Sequence, residues 1–297
     1  MEKYFDCKTN NIGRKQDYVN RGSYTSQDND EESFDWIVLA DGHGIKNTIL
    51  DIVSSIEYET IVTYNCDLVK ILIDRVNTVN NKSEKSGCTF IFVKIFSKRI
   101  ECESIGDSTC VVFIDGVKVF ENGKHNLLNE KEMERLKNRN IGMIPSMNES
   151  IILSPDELLF SNKKLDYYVF ENNLKLATTQ ALGHNGITGY EPEKSITYYS
   201  EGQRVRVIVC SDGFWDMTIK NEKYVDYEIL QNEINDLLNM NIEELSNKVI
   251  NRWIQTWRCY CEKNGDKCEE SMHCDSYSKE YWDDSAIAVW DNHTGKE

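Results

Sequence analysis

The chain has 297 residues, of which 40% are hydrophobic and 28% are charged, so it can bury a core and is not disordered as a whole. Its 34 Lys and Arg against 50 Asp and Glu give a formal net charge of −16. An acidic surface gains nothing from counterion release, so neither nucleic acid nor an anionic membrane is an expected partner. The same carboxylates can instead converge on divalent cations.

The sequence shows no segment of signal-peptide or membrane-spanning type. The start, MEKYFDCKTN, lacks an apolar stretch, and the longest apolar runs, such as Val205–Cys210, have only strand length. We therefore expect a soluble, cytoplasmic protein. Of the ten cysteines, those scattered along the chain are predicted to be reduced thiols, several of them in the core. These are Cys7, Cys66, Cys88, Cys102, Cys110 and Cys210.

The N-terminal segment is polar and is predicted to be loop, apart from a short strand at Tyr18–Asn20. Phe34–Ala40 is apolar and β-branched, which predicts a buried strand that ends in a tight turn at Asp41–Gly44. Apolar residues then recur at helical spacing over Ile45–Tyr64 and over Leu68–Val79, which predicts two helices.

The middle of the chain is predicted to form an antiparallel meander, because Asp115-Gly116 is a tight-turn signal between apolar runs. Its strands are Cys88–Phe96, Arg99–Ser104, Thr109–Ile114 and Val117–Phe120. A helix is expected at Glu130–Lys137. Residues 139–200 hold all three prolines and are predicted to be irregular. Strand character recurs there at Ser150–Leu153, Asp166–Phe170 and Leu174–Thr178.

The last third of the chain is predicted to hold two helices between two strands. The strands are Arg204–Cys210 and Ser285–Trp290, and the helices are Tyr227–Met240 and Ile242–Trp257. Helical pairs after the first strand and before the last, with strands between them, indicate an α+β fold with antiparallel sheet. We expect one domain over residues 1–297.

Three aspartates each lie at the edge of an apolar strand: Asp41 in ADGHG, Asp212 in SDGFWD and Asp283 in WDDS. A strand end can hold a carboxylate rigidly and direct it into a cleft. Mg²⁺ and Mn²⁺ prefer oxygen ligands, and a glycine after the aspartate lets the backbone carbonyl approach an ion. One Asp-Gly pair is more often only a turn. Three such sites favour a divalent metal centre without naming a function.

In their order and in their neighbouring residues, these sites resemble the motifs of the metal-dependent serine/threonine phosphatases of the protein phosphatase 2C family. The similar segments are ADGHG, Ser86-Gly87-Cys88-Thr89, Ile105-Gly106-Asp107-Ser108, Gln180-Ala181-Leu182-Gly183, SDGFWD and Asp283–Val289. They follow the family's order from about residue 11 to residue 291. The resemblance implies a central β-sandwich of two antiparallel sheets flanked by helix pairs, which agrees with the elements placed above.

The resemblance also implies two Mn²⁺ or Mg²⁺ ions at one end of the sandwich. Asp41 would bridge both ions, the Gly42 carbonyl would bind one, and Asp212 and Asp283 would bind the other. Two further aspartates match positions linked to a weaker third ion, namely Asp107 and Asp216.

The implied reaction is hydrolysis of phosphoserine and phosphothreonine in phosphoprotein substrates, by a protein expected to be monomeric. The two cations make hydroxide available for attack on phosphorus, opposite the leaving oxygen, and offset the charge of the phosphoryl oxygens. His43 matches a residue proposed as the general acid that protonates the leaving alkoxide. The alternative for His43 is a turn histidine with only a structural hydrogen bond.

The segment that should grip the substrate phosphate departs most from the family pattern. It reads Gly13-Arg14-Lys15-Gln16-Asp17, where the family has an Arg four residues before an acidic pair. Arg14 is the candidate bidentate donor, with Lys15 or Arg21 as substitutes and a solvated arginine as the alternative.

Other departures are Gln180 for Arg, His184 for Asp and Ile45 for Gly, none of them at an expected metal ligand. They leave a second function open, that of a catalytically weak or inactive phosphatase-like domain acting as a phosphoprotein-binding or scaffold protein. Because the expected ligand aspartates are all present, the enzyme is the favoured hypothesis.

Residues 258–281 form a cysteine-containing insertion before the last strand. Its cysteines, Cys259, Cys261, Cys268 and Cys274, allow a tetrahedral zinc site. Their spacing matches no recognised zinc pattern, so a flexible insertion with free thiols and a redox-linked disulfide are the alternatives.

Overall fold

The structure of the chain is a computed structural model. It describes residues 3–10, 16–28, 31–44, 47–79, 85–126, 129–137, 142–145, 165–169, 175–176, 178–219, 227–252 and 284–293. Several sequence predictions lie outside these ranges: Arg14, Lys15, Ile45, Asp283, the strand at Ser150–Leu153, the end of the helix at Ile242–Trp257, and the insertion at 258–281 with its four cysteines. For Asp216 only the backbone is described.

Strands outnumber helices along the described chain. In chain order the strands are β1 (Tyr4–Asn10), β2 (Asp17–Tyr24), β3 (Phe34–Gly44), β4 (Ser86–Cys88), β5 (Phe90–Ile95), β6 (Arg99–Ile105), β7 (Thr109–Ile114), β8 (Val117–Glu121), β9 (Gly142–Pro145), β10 (Leu165–Val169), β11 (Lys175–Leu176), β12 (Leu182–Gly183), β13 (Glu193–Tyr198), β14 (Val205–Cys210) and β15 (Ser285–Asp291). The helices are α1 (Thr48–Ser54), α2 (Tyr58–Ile61), α3 (Leu68–Asn77), α4 (Glu130–Lys137), α5 (Asp212–Ile219), α6 (Tyr227–Asn239) and α7 (242–252).

The strands pair into two large antiparallel sheets. Sheet I has seven strands in the order β12-β4-β3-β5-β6-β13, with β2 on the other side of β3. Sheet II has five strands in the order β1-β15-β14-β7-β8. A separate three-stranded sheet contains β9, β10 and β11.

The two large sheets pack face to face around an apolar core. Ile37 and Leu39 of β3 point inward against residues of sheet II such as Val207 and Ala288. Trp36 of β3 points the other way, towards the helices on the outer face of sheet I. Because both faces of β3 are covered, its residues are buried continuously from Phe34 to Ala40 rather than in alternation.

Helices cover both outer faces of this sandwich. The α1–α3 segment packs on sheet I through residues such as Ile49 and Leu72. On the other side, α5, α6 and α7 pack on sheet II through residues such as Phe214, Leu237 and Leu245. The layers therefore run α-β-β-α, which confirms the predicted fold class. Within the described ranges, no helix is long and apolar enough to span a membrane.

Most predicted elements are present, and the differences have physical causes. The N-terminal segment is not loop, because β1 pairs along its length with β15 and β2 with β3. The predicted strand at β3 does not stop at Asp41, because Gly42–Gly44 continue it by pairing with β4. The predicted helix at Ile45–Tyr64 is two short helices, α1 and α2.

The predicted meander is divided between the two sheets. Its first two strands, β5 and β6, belong to sheet I, and β7 and β8 belong to sheet II. The turn at Asp115-Gly116 has the positive φ values of 51° and 80° that a tight hairpin turn needs. The turn between β6 and β7 therefore crosses from one sheet to the other, and it carries Asp107.

Candidate metal and phosphate site

Asp41 lies on β3 at the end of the sandwich, and the strands on both sides of β3 fix its backbone. On one side, Asp41 pairs in register with Asp17 of β2. On the other side, its backbone N–H donates to Thr89 Oγ1 at 3.2 Å and its carbonyl accepts from the Thr89 N–H at 2.8 Å. These contacts fix the backbone of Asp41, while its side chain is only half-buried.

A buried hydrogen-bond chain joins this end of sheet I to the matching end of sheet II. The hydroxyl of Ser211 donates to Asp17 Oδ2 at 2.7 Å and accepts from the Ala286 N–H at 2.9 Å. Asp17 is 4% exposed and Ser211 is fully buried. Asp212 follows Ser211 directly and begins α5. The ends of β2, β3, β14 and β15 therefore meet, with Asp41 and Asp212 at the junction.

Gln16 joins the same junction through its backbone. Its carbonyl accepts from the Gly42 N–H at 2.6 Å, and its N–H donates to Asp284 Oδ2 at 2.9 Å. A Cβ on Gly42 would lie 2.9 Å from the Gln16 carbonyl oxygen, so the close approach requires glycine. Asp284 directly follows Asp283 in the sequence, so the chain that continues from Asp283 into β15 starts at the junction.

The turn with Asp107 lies at the same end. The hydroxyls of Thr89 and Ser108 are 2.6 Å apart, which links this turn to the residue that holds Asp41. Gly106 has a φ of +103°, and its N–H donates to His125 Nδ1 at 2.8 Å. Asp107 is half-buried between these two fixed residues.

The donor set at the junction fits a hard divalent cation. Asp212 Oδ1 is buried and has no hydrogen-bond partner within the described residues. A buried, uncompensated carboxylate oxygen is costly, and a cation would satisfy it. Among the side chains that are described, no three of His, Cys, Asp and Glu lie close enough together to hold a metal. The described side chains do not include those of Asp283 and Asp216, so they contain only part of the predicted ligands.

His43 follows on β3 and stacks on another histidine. Its ring lies 4.9 Å from that of His184, with 20° between the planes. Both ring nitrogens of His43 are buried, and neither has a hydrogen-bond partner in the described part of the chain. Burial, together with the neighbouring His184, lowers the pKa of His43 to about 3. The ring is therefore neutral at pH 7 when neither substrate nor metal is present.

Arg21, one of the three candidates for gripping phosphate, lies away from this junction. It is four residues along β2 from Asp17, about 13 Å at strand spacing. Its guanidinium lies 4.8 Å from the Phe5 ring centre and 3.5 Å from an Asp6 carboxylate oxygen. Arg21 is thus engaged in the middle of the sheet, which leaves Arg14 and Lys15 as the sequence-based candidates.

The segments that hold four residues of the junction could be recognised in the sequence, but the roles of these residues could not. Asp17, Gln16, Ser211 and Thr89 act through hydrogen bonds that no local pattern reveals.

Known proteins resemble this chain in sequence and in fold. The family described as Protein phosphatase 2C matches residues 65–256. Protein phosphatase 1B of Homo sapiens is 27% identical over 173 residues, which are 58% of this chain and 32% of that protein. The chain therefore spans about a third of the length of this curated relative.

Solved structures share the fold at low sequence identity. The serine-threonine phosphatase 2C from Toxoplasma gondii is 12% identical, with a TM-score of 0.54 over 97% of this chain and 95% of that one. The serine/threonine phosphatase of S. agalactiae is 17% identical, with a TM-score of 0.51 over 97% and 99%. A C. elegans sex determining protein is 16% identical, with a TM-score of 0.53 over 98% of this chain and 64% of that one.

Proposed function

Because the chain belongs to the protein phosphatase 2C family, we propose that it is a metal-dependent phosphatase that hydrolyses phosphoserine and phosphothreonine in proteins. The observation that carries the proposal is the hydrogen-bonded junction of β2, β3, β14 and β15. There Asp17 and Ser211 bring Asp41 and Asp212 to one end of the sandwich. Asp212 Oδ1 is buried and has no hydrogen-bond partner among the residues that the structure describes, which supports a bound cation at this position.

The proposed ligands of two Mn²⁺ or Mg²⁺ ions are Asp41, the Gly42 carbonyl, Asp212 and Asp283, with Asp107 and Asp216 at a weaker third position. When bound, such ions lower the pKa of a coordinated water and offset negative charge on the phosphoryl oxygens. The protein contributes rigidity, because Thr89, Gln16 and Ser211 hold the backbone of the ligand segments.

His43 is the proposed donor of a proton to the leaving seryl or threonyl oxygen, and Arg14 is the proposed donor of hydrogen bonds to the phosphate. An alkoxide is a poor leaving group, so a positioned acid accelerates its departure. Since burial keeps His43 neutral in the free protein, the ring has to take up a proton from solvent when substrate binds. A phosphoryl dianion beside the ring favours the charged imidazolium and raises its pKa.

Removal of metal tests the proposal directly. We expect hydrolysis of a phosphothreonine peptide to require Mn²⁺ or Mg²⁺, to stop in EDTA and to return when excess Mn²⁺ is added, because the bound cations would both activate the water and offset the charge of the phosphoryl oxygens. The measurement is phosphate release with each metal and with chelator. Activity that persists in EDTA would rule out the metal-dependent mechanism. Absence of activity under all conditions, with tight binding of the phosphopeptide, would favour the scaffold hypothesis.

A second prediction concerns His43 and the leaving group. We expect His43→Ala to lower kcat for a phosphothreonine peptide by about a hundredfold or more, the usual contribution of a general acid. With p-nitrophenyl phosphate the loss should stay below about tenfold, because a phenolate leaves without a proton. The exposed His293 provides the control, and His293→Ala should change neither rate. Equal losses on both substrates would remove His43 from the role of acid.

A further inference from the structure

His184 is buried completely, yet it lies in a conformation that side chains rarely adopt. Its φ is +47° and its exposed fraction is 0%. It directly follows β12, and its carbonyl accepts from the Ile187 N–H at 3.1 Å in a short 3₁₀ turn that includes Asn185, also at positive φ. Two successive non-glycine residues at positive φ persist only where the surroundings hold them. The surroundings place the His184 ring flat against that of His43.

The two rings make contact where β3, β4 and β12 lie side by side and where β4 and β12 carry glycines. His43 on β3 is in register with Gly87 on β4, and Gly87 is in register with Gly183 on β12. A Cβ on Gly87 would lie 2.3 Å from His184 Nε2, so any side chain there would displace the ring. Gly183 has a φ of +93°, and a Cβ on it would lie 2.5 Å from the Ser86 carbonyl oxygen. The contact of the two histidines therefore depends on glycine at both intervening positions.

The stack is the contact that orients the ring of His43. Neither of its ring nitrogens has a hydrogen-bond partner within the described residues. Within the described part of the chain, the torsion that rotates the ring, which has a broad preference of its own, is therefore set by packing, including the stack on His184. Removing His184 would leave open space on one face of the ring, and small displacements of a catalytic group lower rates strongly.

We propose that His184 is a positioning residue, which holds the ring of His43 in the orientation that delivers a proton to the leaving oxygen. This inference rests on the proposed function and assigns His184 no contact with substrate. A role in core packing alone is the competing explanation, and it predicts a different pattern of rates.

The test compares two substrates with the Mn²⁺-loaded protein and its variants. We expect His184→Ala to lower kcat for a phosphothreonine peptide by about tenfold to a hundredfold, with KM unchanged. Turnover of p-nitrophenyl phosphate should change by less than about threefold, since its leaving group needs no acid. His184→Phe should restore most of the peptide rate, because an aromatic ring still stacks on His43. The double variant with His43→Ala should be no slower than His43→Ala alone.

Gly87→Ala provides a second route if His184→Ala does not fold. Its new methyl group should push the His184 ring away and produce the same loss on the peptide with the same sparing of p-nitrophenyl phosphate. Equal losses on both substrates in a folded variant, unchanged rates on both, or additive losses in the double variant would each overturn the inference. Failure of the wild-type protein on both substrates would instead overturn the proposed function.

Discussion

Asp212→Asn is expected to lower kcat/KM for a phosphothreonine peptide by about a thousandfold or more. Loss of a ligand weakens the charge stabilisation that bound cations supply, which amounts to several kcal/mol, and each 1.4 kcal/mol or so is a factor of ten in rate. The substitution preserves the shape of the side chain, removes its negative charge and replaces one carboxylate oxygen with an amide NH₂. The measurement is steady-state hydrolysis over a range of Mn²⁺ concentrations.

The same substitution has an opposite expected effect on stability, which separates metal binding from misfolding. Without metal, the buried Asp212 Oδ1 lacks a partner in the described part of the chain, so neutralising the carboxylate should raise the free energy of unfolding by about 1 kcal/mol. With Mn²⁺ at a hundred times its Kd, the wild-type protein should gain about 2.7 kcal/mol. The variant should gain much less. Urea denaturation in EDTA and in Mn²⁺ measures both quantities.

Asp74→Asn is the matched control for Asp212→Asn. Asp74 is exposed on α3, so its substitution should leave both the rate and the Mn²⁺-dependent stabilisation unchanged. If Asp212→Asn kept the full stabilisation by Mn²⁺, Asp212 would not be a ligand, whatever happened to the rate.

Local sequence patterns were sufficient for much of the fold. Phe34–Ala40, Thr109–Ile114 and Arg204–Cys210 carry apolar runs whose burial alone predicts strands, and Glu130–Lys137 has the spacing of the helix that forms there. The strand β1 could not be predicted in this way. Its sequence, YFDCKTN, is half polar, and it is a strand because it pairs with β15 at the other end of the chain. Such pairing depends on distant residues.

For the candidate site too, local segments could be predicted from the sequence, whereas contacts between distant residues could not. The motifs around Asp41, Asp107 and Asp212 could be recognised, because each is a short segment with its own turn chemistry. The bonds that bring them together could not be recognised, since Ser211 and Asp17 are 194 residues apart and Gln16 and Asp284 are 268 residues apart. Gly87 could be recognised as part of the segment Ser86–Thr89, but only the His184 ring beside it explains why a side chain is excluded there.

Gln180, which stands where the family pattern has Arg, is hydrogen-bonded to a buried carboxylate. Its amide donates to Glu132 Oε1 at 2.7 Å, and its own oxygen accepts from the Glu191 N–H at 2.8 Å. The same carboxylate faces the guanidinium of Arg135, which lies one turn along α4 from Glu132. Arg135 binds both oxygens of Glu132, at 3.0 and 2.8 Å, within a site where the Glu132 side chain is 5% exposed.

Arg135→Met is therefore expected to lower the free energy of unfolding by about 3–5 kcal/mol, because it leaves the Glu132 carboxylate buried without its ionic partner. Burial alone would raise the pKa of Glu132, but hydrogen bonds from Arg135 and Thr179 outweigh it and hold the pKa below its usual value of 4.5. The ionised carboxylate thus stabilises the fold fully above pH 4.5, and this contribution is lost as the pH falls towards the folded pKa. The difference between wild type and variant should shrink accordingly in acid, as urea denaturation at pH 7 and pH 4 would measure.

Moving the guanidinium from position 135 to position 180 tests whether Arg135 replaces the arginine expected at position 180. We expect Gln180→Arg alone to destabilise the protein, because Glu132 already has one guanidinium and a second buried cation would be uncompensated. In the double variant Arg135→Met with Gln180→Arg, one guanidinium again faces one carboxylate. That variant should regain at least about half of the stability lost by Arg135→Met, since coupled residues deviate from additivity by up to about 3 kcal/mol. Purely additive losses would show that the two positions are not interchangeable, and that α4 supports the segment around Gln180 through packing rather than charge.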